Sequence, residues 1–134
     1  MPPVHNPVNL AIIVCDSIIE DRQTGKKTLV GIFSQLSSTQ FPCRHHSLAV
    51  FVSLTEGSGR YQAQLQCVKA REDKPVLQMQ GGIEFKDPKA VVELGFTIDG
   101  MIFPEPGIYE FQFLCDGVLI GQRPFEVRDA RKQK

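Results

Sequence analysis

The sequence predicts an all-β fold, a two-layer antiparallel β-sandwich of immunoglobulin-like or C2-like type with about eight strands. Apolar and polar residues alternate with a period of two in several segments, as in residues 61–67 and 109–115, which is typical of strands with one buried face. Glycine, proline and Asp-Gly pairs separate these segments at short intervals, as expected of tight turns. Many short strands joined by tight turns favour a sandwich over an α/β fold.

The N-terminal third predicts a hairpin followed by a buried strand. Residues 9–20 are apolar on both faces in their first half, which is typical of a central strand. The polar residues 21–26 form a loop, and residues 28–36 return as the second arm of a hairpin. A further apolar strand covers residues 48–54 and ends at the glycine-containing turn 56–60.

The middle of the chain predicts a half-buried strand with a glutamine face. In residues 61–67 the odd-numbered side chains are aromatic or apolar and the even-numbered ones are all glutamine, so the glutamine face is expected to see solvent. Lys74-Pro75 separates this strand from the next one at residues 76–85. The Gly81-Gly82 pair predicts a β-bulge or a close backbone approach in that second strand.

The C-terminal third predicts three more strands. Residues 87–91 are expected to form a loop, because a valine pair disfavours a helix there, and residues 92–99 alternate as a strand. Residues 109–115 form the next strand, and Asp116-Gly117 supplies the positive φ values of a two-residue hairpin turn. Residues 118–121 are the return arm of that hairpin.

A tyrosine corner is predicted between the last two of these segments. The alternating residues 94–98, followed by Gly107, Tyr109 and Phe111, resemble the strand-corner-strand pattern of immunoglobulin-like domains, in which a tyrosine hydroxyl bonds to upstream backbone. Tyr109 is that tyrosine. The chain has no tryptophan, and Phe111 stands where an antibody domain has its second bridging cysteine, which excludes the antibody-type subclass.

Composition predicts one domain spanning residues 1–134, with an ordered core at about residues 8–127. It also argues against binding to nucleic acid, membranes or cofactors. The chain has 134 residues, enough to bury about two-thirds of its unfolded surface without cross-links. Fifteen basic residues balance fifteen acidic ones, so no long-range field draws the protein to nucleic acid or to an anionic membrane. No cofactor motif is present, since no glycine-rich loop joins a strand to a helix.

The cysteines and the N-terminus favour a reducing compartment. The four cysteines are widely spaced without a C-x-x-C pair, which indicates reduced thiols at core positions in the cytoplasm. The first residues lack the basic and apolar regions of a secretory signal. A signal removed upstream of Met1 is the alternative, and it would make one or two disulfide bridges plausible.

Residues 37–47 predict the best candidate site, a long loop between two strands that contains Cys43, His45 and His46. These residue types bind zinc when three or four of them converge, and a thiolate beside an imidazole can act as a nucleophile. Adjacent histidines point to opposite faces of extended backbone, which makes a shared metal site awkward. A further ligand, His5, requires the N-terminus to fold back. The same loop is a possible contact for a protein partner through four residues, Phe41, Arg44, His45 and His46.

Residues 8–33 together with residues 104–127 resemble a family of small, uncharacterised bacterial domains. The resemblance implies a bacterial cytoplasmic protein, and the family's lack of an assigned activity means that no site residue can be carried over. The function predicted is a non-enzymatic protein-interaction or assembly module without a cofactor. It binds an unknown protein partner, and a sheet edge is available for homo-oligomer formation. The alternative is a metal-binding or hydrolytic protein that uses the loop with Cys43, His45 and His46.

Overall fold

The computed structural model describes residues 5–72 and 74–132, and in these residues the chain forms nine strands and one short 3-10 helix. The structure does not describe residues 1–4, 73, 133 and 134. The prediction that both ends of the chain lie outside the ordered core therefore falls partly outside the described residues. The strands are β1 (Val8–Glu20), β2 (Lys27–Ile32), β3 (Gln35–Ser38), β4 (Cys43–Thr55), β5 (Gly59–Lys69), β6 (Pro75–Phe85), β7 (Val92–Phe103), β8 (Gly107–Cys115) and β9 (Val118–Asp129), and the helix is Ala130–Lys132.

Two packed sheets confirm the predicted all-β sandwich. The four-stranded sheet has the order β2-β1-β4-β7, and the five-stranded sheet has the order β3-β9-β8-β5-β6. All neighbouring strands are antiparallel except β3 and β9, which pair in parallel. The last strand, predicted to cover residues 118–121, continues to Asp129, two residues past the predicted end of the ordered core at residue 127.

The segment 28–36, predicted as one strand, is two strands in different sheets. Between them the chain crosses the sandwich at Phe33 and Ser34. The amide of Phe33 donates to the Val14 carbonyl at 3.0 Å, while the Ser34 carbonyl accepts from the amide of Glu126 at 3.0 Å. Because neighbouring residues bond to opposite sheets, β2 ends here and β3 begins, which gives nine strands instead of eight.

The core lies between the sheets and is closed at one end by aromatic rings. The ring of Phe125 packs against three other phenylalanines, Phe33, Phe103 and Phe111, with centroid distances of 5.4, 5.6 and 5.7 Å. All four cysteines are buried and free, as predicted for thiols at core positions.

The predicted corner and hairpin turn are both present. The hydroxyl of Tyr109 donates to the Glu105 carbonyl at 2.6 Å, so the corner motif forms without a disulfide or a tryptophan. Asp116 and Gly117 have φ values of 49° and 80°, which match the two-residue turn that joins antiparallel strands. The Asp116 carboxylate also accepts from the amide of Gln62 at 2.8 Å, so the turn is tied to β5.

The β1–β2 hairpin covers much of the outer face of the four-stranded sheet. A Cβ atom added to Gly95 on β7 would lie 3.1 Å from Cδ1 of Ile18 on β1, although β4 lies between these strands. Phe51 and Ala49 on β4 are accordingly buried. The hairpin itself remains accessible, since Ile19, Val30 and Ile32 are exposed.

Candidate functional site

The segment predicted as a loop, residues 37–47, is mostly strand. Only residues 39–42 connect β3 to β4, and β4 begins at Cys43. The start of β4 pairs with the end of β7, with Cys43 opposite Phe103 and His45 opposite Met101. The loop prediction is wrong because β4 begins five residues before the apolar run 48–54 from which the strand was predicted. The first residues of β4 are mostly polar, so the sequence pattern does not mark them as strand.

The structure disperses the predicted metal ligands. Cys43 is buried in the core, and His45 is half-buried against the ring of Phe33, with centroids 5.5 Å apart. His46 is exposed. His5 lies at the opposite end of the sandwich, where its carbonyl accepts from the Tyr61 hydroxyl at 2.6 Å. Within residues 5–72 and 74–132, no three His, Cys, Asp or Glu side chains are placed to hold a metal ion.

The residues predicted to contact a partner differ in exposure, with Arg44 and His46 exposed and Phe41 and His45 half-buried. Phe41 packs against the core, and the exposed Arg44 lies beside Gly100. A Cβ atom on that glycine would lie 2.8 Å from Nη2 of Arg44. The contact through these residues stays a prediction.

A polar amide surface covers the outer face of the five-stranded sheet. One glutamine from each of four neighbouring strands forms a row across it, in the order Gln122, Gln112, Gln66 and Gln78. Gln66 donates to the Gln112 side chain at 2.7 Å and accepts from Gln78 at 3.4 Å. The amide groups therefore pair with one another. On the predicted glutamine face, Gln62 is exposed, whereas Gln64 and Gln66 are half-buried.

A cleft of about 350 Å³ lies beside the tyrosine corner and contains paired charges. Its Lys69 ammonium lies 2.6 Å from the Glu105 carboxylate. The hydrogen bond to this carboxylate raises the pKa of Lys69, which keeps the amine protonated. A protonated, paired lysine is a poor nucleophile, so the cleft offers no evident covalent chemistry.

The four strand edges differ in how well they are protected. The edge strands β3 and β2 have only four and six residues. The edge strand β7 carries two exposed carboxylates, Glu93 and Asp99. Charged side chains and short lengths discourage pairing with another strand. The remaining edge, β6, is eleven residues long and has no charged residue from Pro75 to Ile83, so it is the least protected.

The glycine pair in β6 does not form the predicted bulge. Pairing with β5 continues through both residues, with Gly81 opposite Ala63 and Gly82 opposite Gln62. A Cβ atom on either glycine would meet nothing within 4 Å, so no close backbone approach requires them. Gly81 instead borders a void of about 120 Å³ that Leu94 and Phe96 of β7 also line.

The void marks the open side of the sandwich. On the opposite side, Nη1 of Arg123 on β9 donates to the Ile12 carbonyl on β1 at 3.2 Å, which links the sheets. On the β6 side, three apolar side chains that pack on the core remain half-buried, namely Met79, Leu94 and Phe96. An uncharged edge and an adjacent apolar void therefore occur together.

Comparisons with known proteins identify one family. The profile described as "Family of unknown function (DUF6941)" matches residues 10–128. Among the curated proteins, no match to the chain is found. In the described part of the chain, no helix has the length and apolar character needed to cross a membrane.

Proposed function

We propose that this chain, a member of the DUF6941 family of unknown function, is a non-catalytic protein-interaction module that binds an extended strand of its partner at the β6 edge. The observation that carries the proposal is the combination of an eleven-residue edge strand, uncharged from Pro75 to Ile83, with a void beside Gly81. Edge strands of this kind receive partner strands through main-chain hydrogen bonds.

The backbone of β6 supplies the affinity in this mechanism. In its sheet β6 is bonded to β5 only, so alternate N–H and C=O groups along its other side point away from the sheet. An incoming strand pairs with these groups and exchanges bonds to water for bonds within a ladder. Each such bond contributes about 1 kcal/mol net, and several of them along eleven residues give useful affinity.

The void beside Gly81 supplies the specificity. Successive side chains of a strand point to opposite faces, so every second side chain of the incoming strand faces the space between the sheets. At Gly81 this space is free of side-chain atoms within 4 Å of a Cβ position, and its walls include Leu94 and Phe96. The partner strand is therefore expected to place an apolar side chain there and to lack charge along its inner face.

The proposal also states that the protein has no catalytic activity and that it acts in the cytoplasm. Support comes from the dispersal of Cys43, His45 and His46, which leaves the thiol buried away from solvent. The four free, buried cysteines favour a reducing compartment, and we therefore place the protein in the bacterial cytoplasm.

A peptide-binding experiment with Gly81→Arg tests the proposed edge. Peptides selected from a random display library on the wild-type protein are expected to be uncharged, with apolar residues at alternate positions. Gly81→Arg is expected to weaken their binding at least about tenfold, because a guanidinium group then occupies the place of the ligand's apolar side chain. The dissociation constants are measured by fluorescence anisotropy with labelled peptides.

The matched control is Gly82→Arg. Gly82 adjoins Gly81 in the same strand and has equally free space, but its side chain points to the outer face of the sheet. Because the added charge lies on the edge strand, this variant is expected to weaken binding somewhat, but clearly less than Gly81→Arg, since its side chain stays on the outer face. Equal weakening by both variants, or a library that yields no binding peptide, would contradict strand addition at this edge.

A further inference from the structure

We infer that the strand received by β6 is β6 of a second copy of this chain, paired antiparallel with Met79 on the two-fold axis. This inference rests on the proposed function, since it names the partner of the same edge. Two copies related by this axis join their five-stranded sheets into one continuous sheet. The inference is carried by the sequence of β6, which is complementary to itself in this register.

The charged residues near the two ends of β6 favour one register. Lys74 directly precedes β6, and Glu84 is its last residue but one. With Met79 opposite its counterpart, Glu84 of one copy lies near Lys74 of the other, and the symmetry creates this contact twice. The pairing with β5 shifts register at the start of β6, so Lys74 lies beyond the regular ladder and contacts Glu84 through its long side chain. Both residues are exposed, so they are accessible to a second copy. Moving the axis to Gln78 would instead shift Glu84 towards Glu72, which precedes β6, and would bring two like charges closer together.

The existing ion pair of Glu84 is compatible with this arrangement. Its Oε2 atom lies 3.1 Å from Nε of Arg60 on the neighbouring strand. A carboxylate has two oxygens with about four lone-pair positions, so it can accept from a lysine of the second copy while it retains the arginine. The two cations then flank one carboxylate at each end of the shared ladder.

The side chains between these ends are also complementary. In the same register Leu77 lies opposite Gly81 of the other copy, and paired residues face the same side of the sheet. Leu77, which is half-buried against the core of its own copy, and the empty position at Gly81 both face inward. The exposed part of the leucine can therefore border the void lined by Leu94 and Phe96. Gln78 lies opposite Gln80 on the outer face, where both amides can exchange hydrogen bonds. Large side chains thus meet glycine, and polar side chains meet polar ones.

A charge exchange tests the register directly. The dimer dissociation constant of the full chain is measured by sedimentation equilibrium. Glu84→Lys and Lys74→Glu are each expected to raise this constant about tenfold, because each places two like-charge pairs in the dimer. The double variant that exchanges both charges is expected to restore the wild-type constant. Glu20→Lys, a charge reversal at an exposed position at the end of β1, is the control and is expected to dimerise like the wild type.

The outcomes separate this inference from the proposed function. A dimer that weakens with each reversal and recovers in the double variant supports the inference. A dimer that is insensitive to the reversals overturns the register, and a monomer at all concentrations overturns self-association. If that monomer still binds peptides in a manner sensitive to Gly81→Arg, the proposed function stands with a different partner. If it binds none, both proposals fail.

Discussion

Replacing Phe125 by alanine is expected to lower the free energy of unfolding by about 4 kcal/mol, within the range for removing a buried phenylalanine. Phe125 is 1% exposed, and its ring packs against Phe33 in the crossing between the sheets, Phe103 of β7 and Phe111 of β8. It therefore joins strands of both sheets at one point. Because domains of this size are stable by only about 5–15 kcal/mol, the loss should be evident in urea denaturation followed by circular dichroism.

Phe96→Ala provides the comparison. Phe96 is half-buried on the open side, where its ring lies 6.2 Å from that of Phe113. Its removal leaves a smaller enclosed cavity, so the expected loss is clearly below that of Phe125→Ala. Equal losses in the two variants would contradict the distinction between a closed aromatic end and an open side.

Alkaline pH is expected to destabilise the protein through its buried thiols. Burial raises the pKa of Cys67 to about 12 from an ordinary value of 9.0. Burial and the neighbouring Asp116 carboxylate raise the pKa of Cys115 to about 11. Because the folded state keeps both thiols neutral, their contribution is complete below about pH 9 and is lost as the pH rises through the folded pKa values. Between pH 9 and 10.5 the expected loss from Cys67 alone is about 2 kcal/mol.

Comparison with Cys67→Ala isolates this effect. Tyr109 and Lys69 also have raised pKa values, from burial and from the bond to Glu105 respectively, and both remain in the variant. The free energy of unfolding, measured in urea at several pH values from 8 to about 10.5, is expected to fall less steeply for Cys67→Ala than for the wild type. Parallel curves would mean that Cys67 ionises freely in the folded state.

Local signals in the sequence were sufficient for the turns and the existence of the strands in the C-terminal half, although β7 and β9 extend beyond their predicted ends at residues 99 and 121 to Phe103 and Asp129. The Asp116-Gly117 turn and the Tyr109 corner depend on residues close to each other in the chain, so their residue types alone specify their geometry. The glutamine face could be predicted for the same reason, because alternation within a single strand separates its two faces.

Features set by distant parts of the chain could not be predicted. The crossing at Phe33 and Ser34 depends on hydrogen bonds to Val14 and Glu126, which only the folded chain brings close. The start of β4 lacks a clear apolar alternation, and its extended form depends on pairing with the end of β7. The glycine pair Gly81-Gly82 was predicted to form a bulge. Its proposed role in binding instead depends on the position of β6 at the edge of its sheet, and the sequence does not reveal the strand order.

The proposed binding edge at β6 lies within the part of the chain that matches the family. The match covers residues 10–128, which include all of β6 and the β7 residues that border the void. The candidate binding edge is thus part of the shared domain, and it uses backbone groups and small residues instead of reactive side chains. A binding edge built in this way carries no motif of the kind that reveals catalytic sites in a sequence.

Hydrogen exchange of the backbone amides, measured by NMR at low and high protein concentration, tests the central claim most directly. We expect alternate amides of β6, those that point away from β5, to exchange more slowly at high concentration as a second strand pairs with them. The amides on the free edges of β2 and β7 are expected to exchange at the same rate throughout. Protection that appears on β2 or β7 and leaves β6 unchanged would contradict the assignment of β6 as the binding edge.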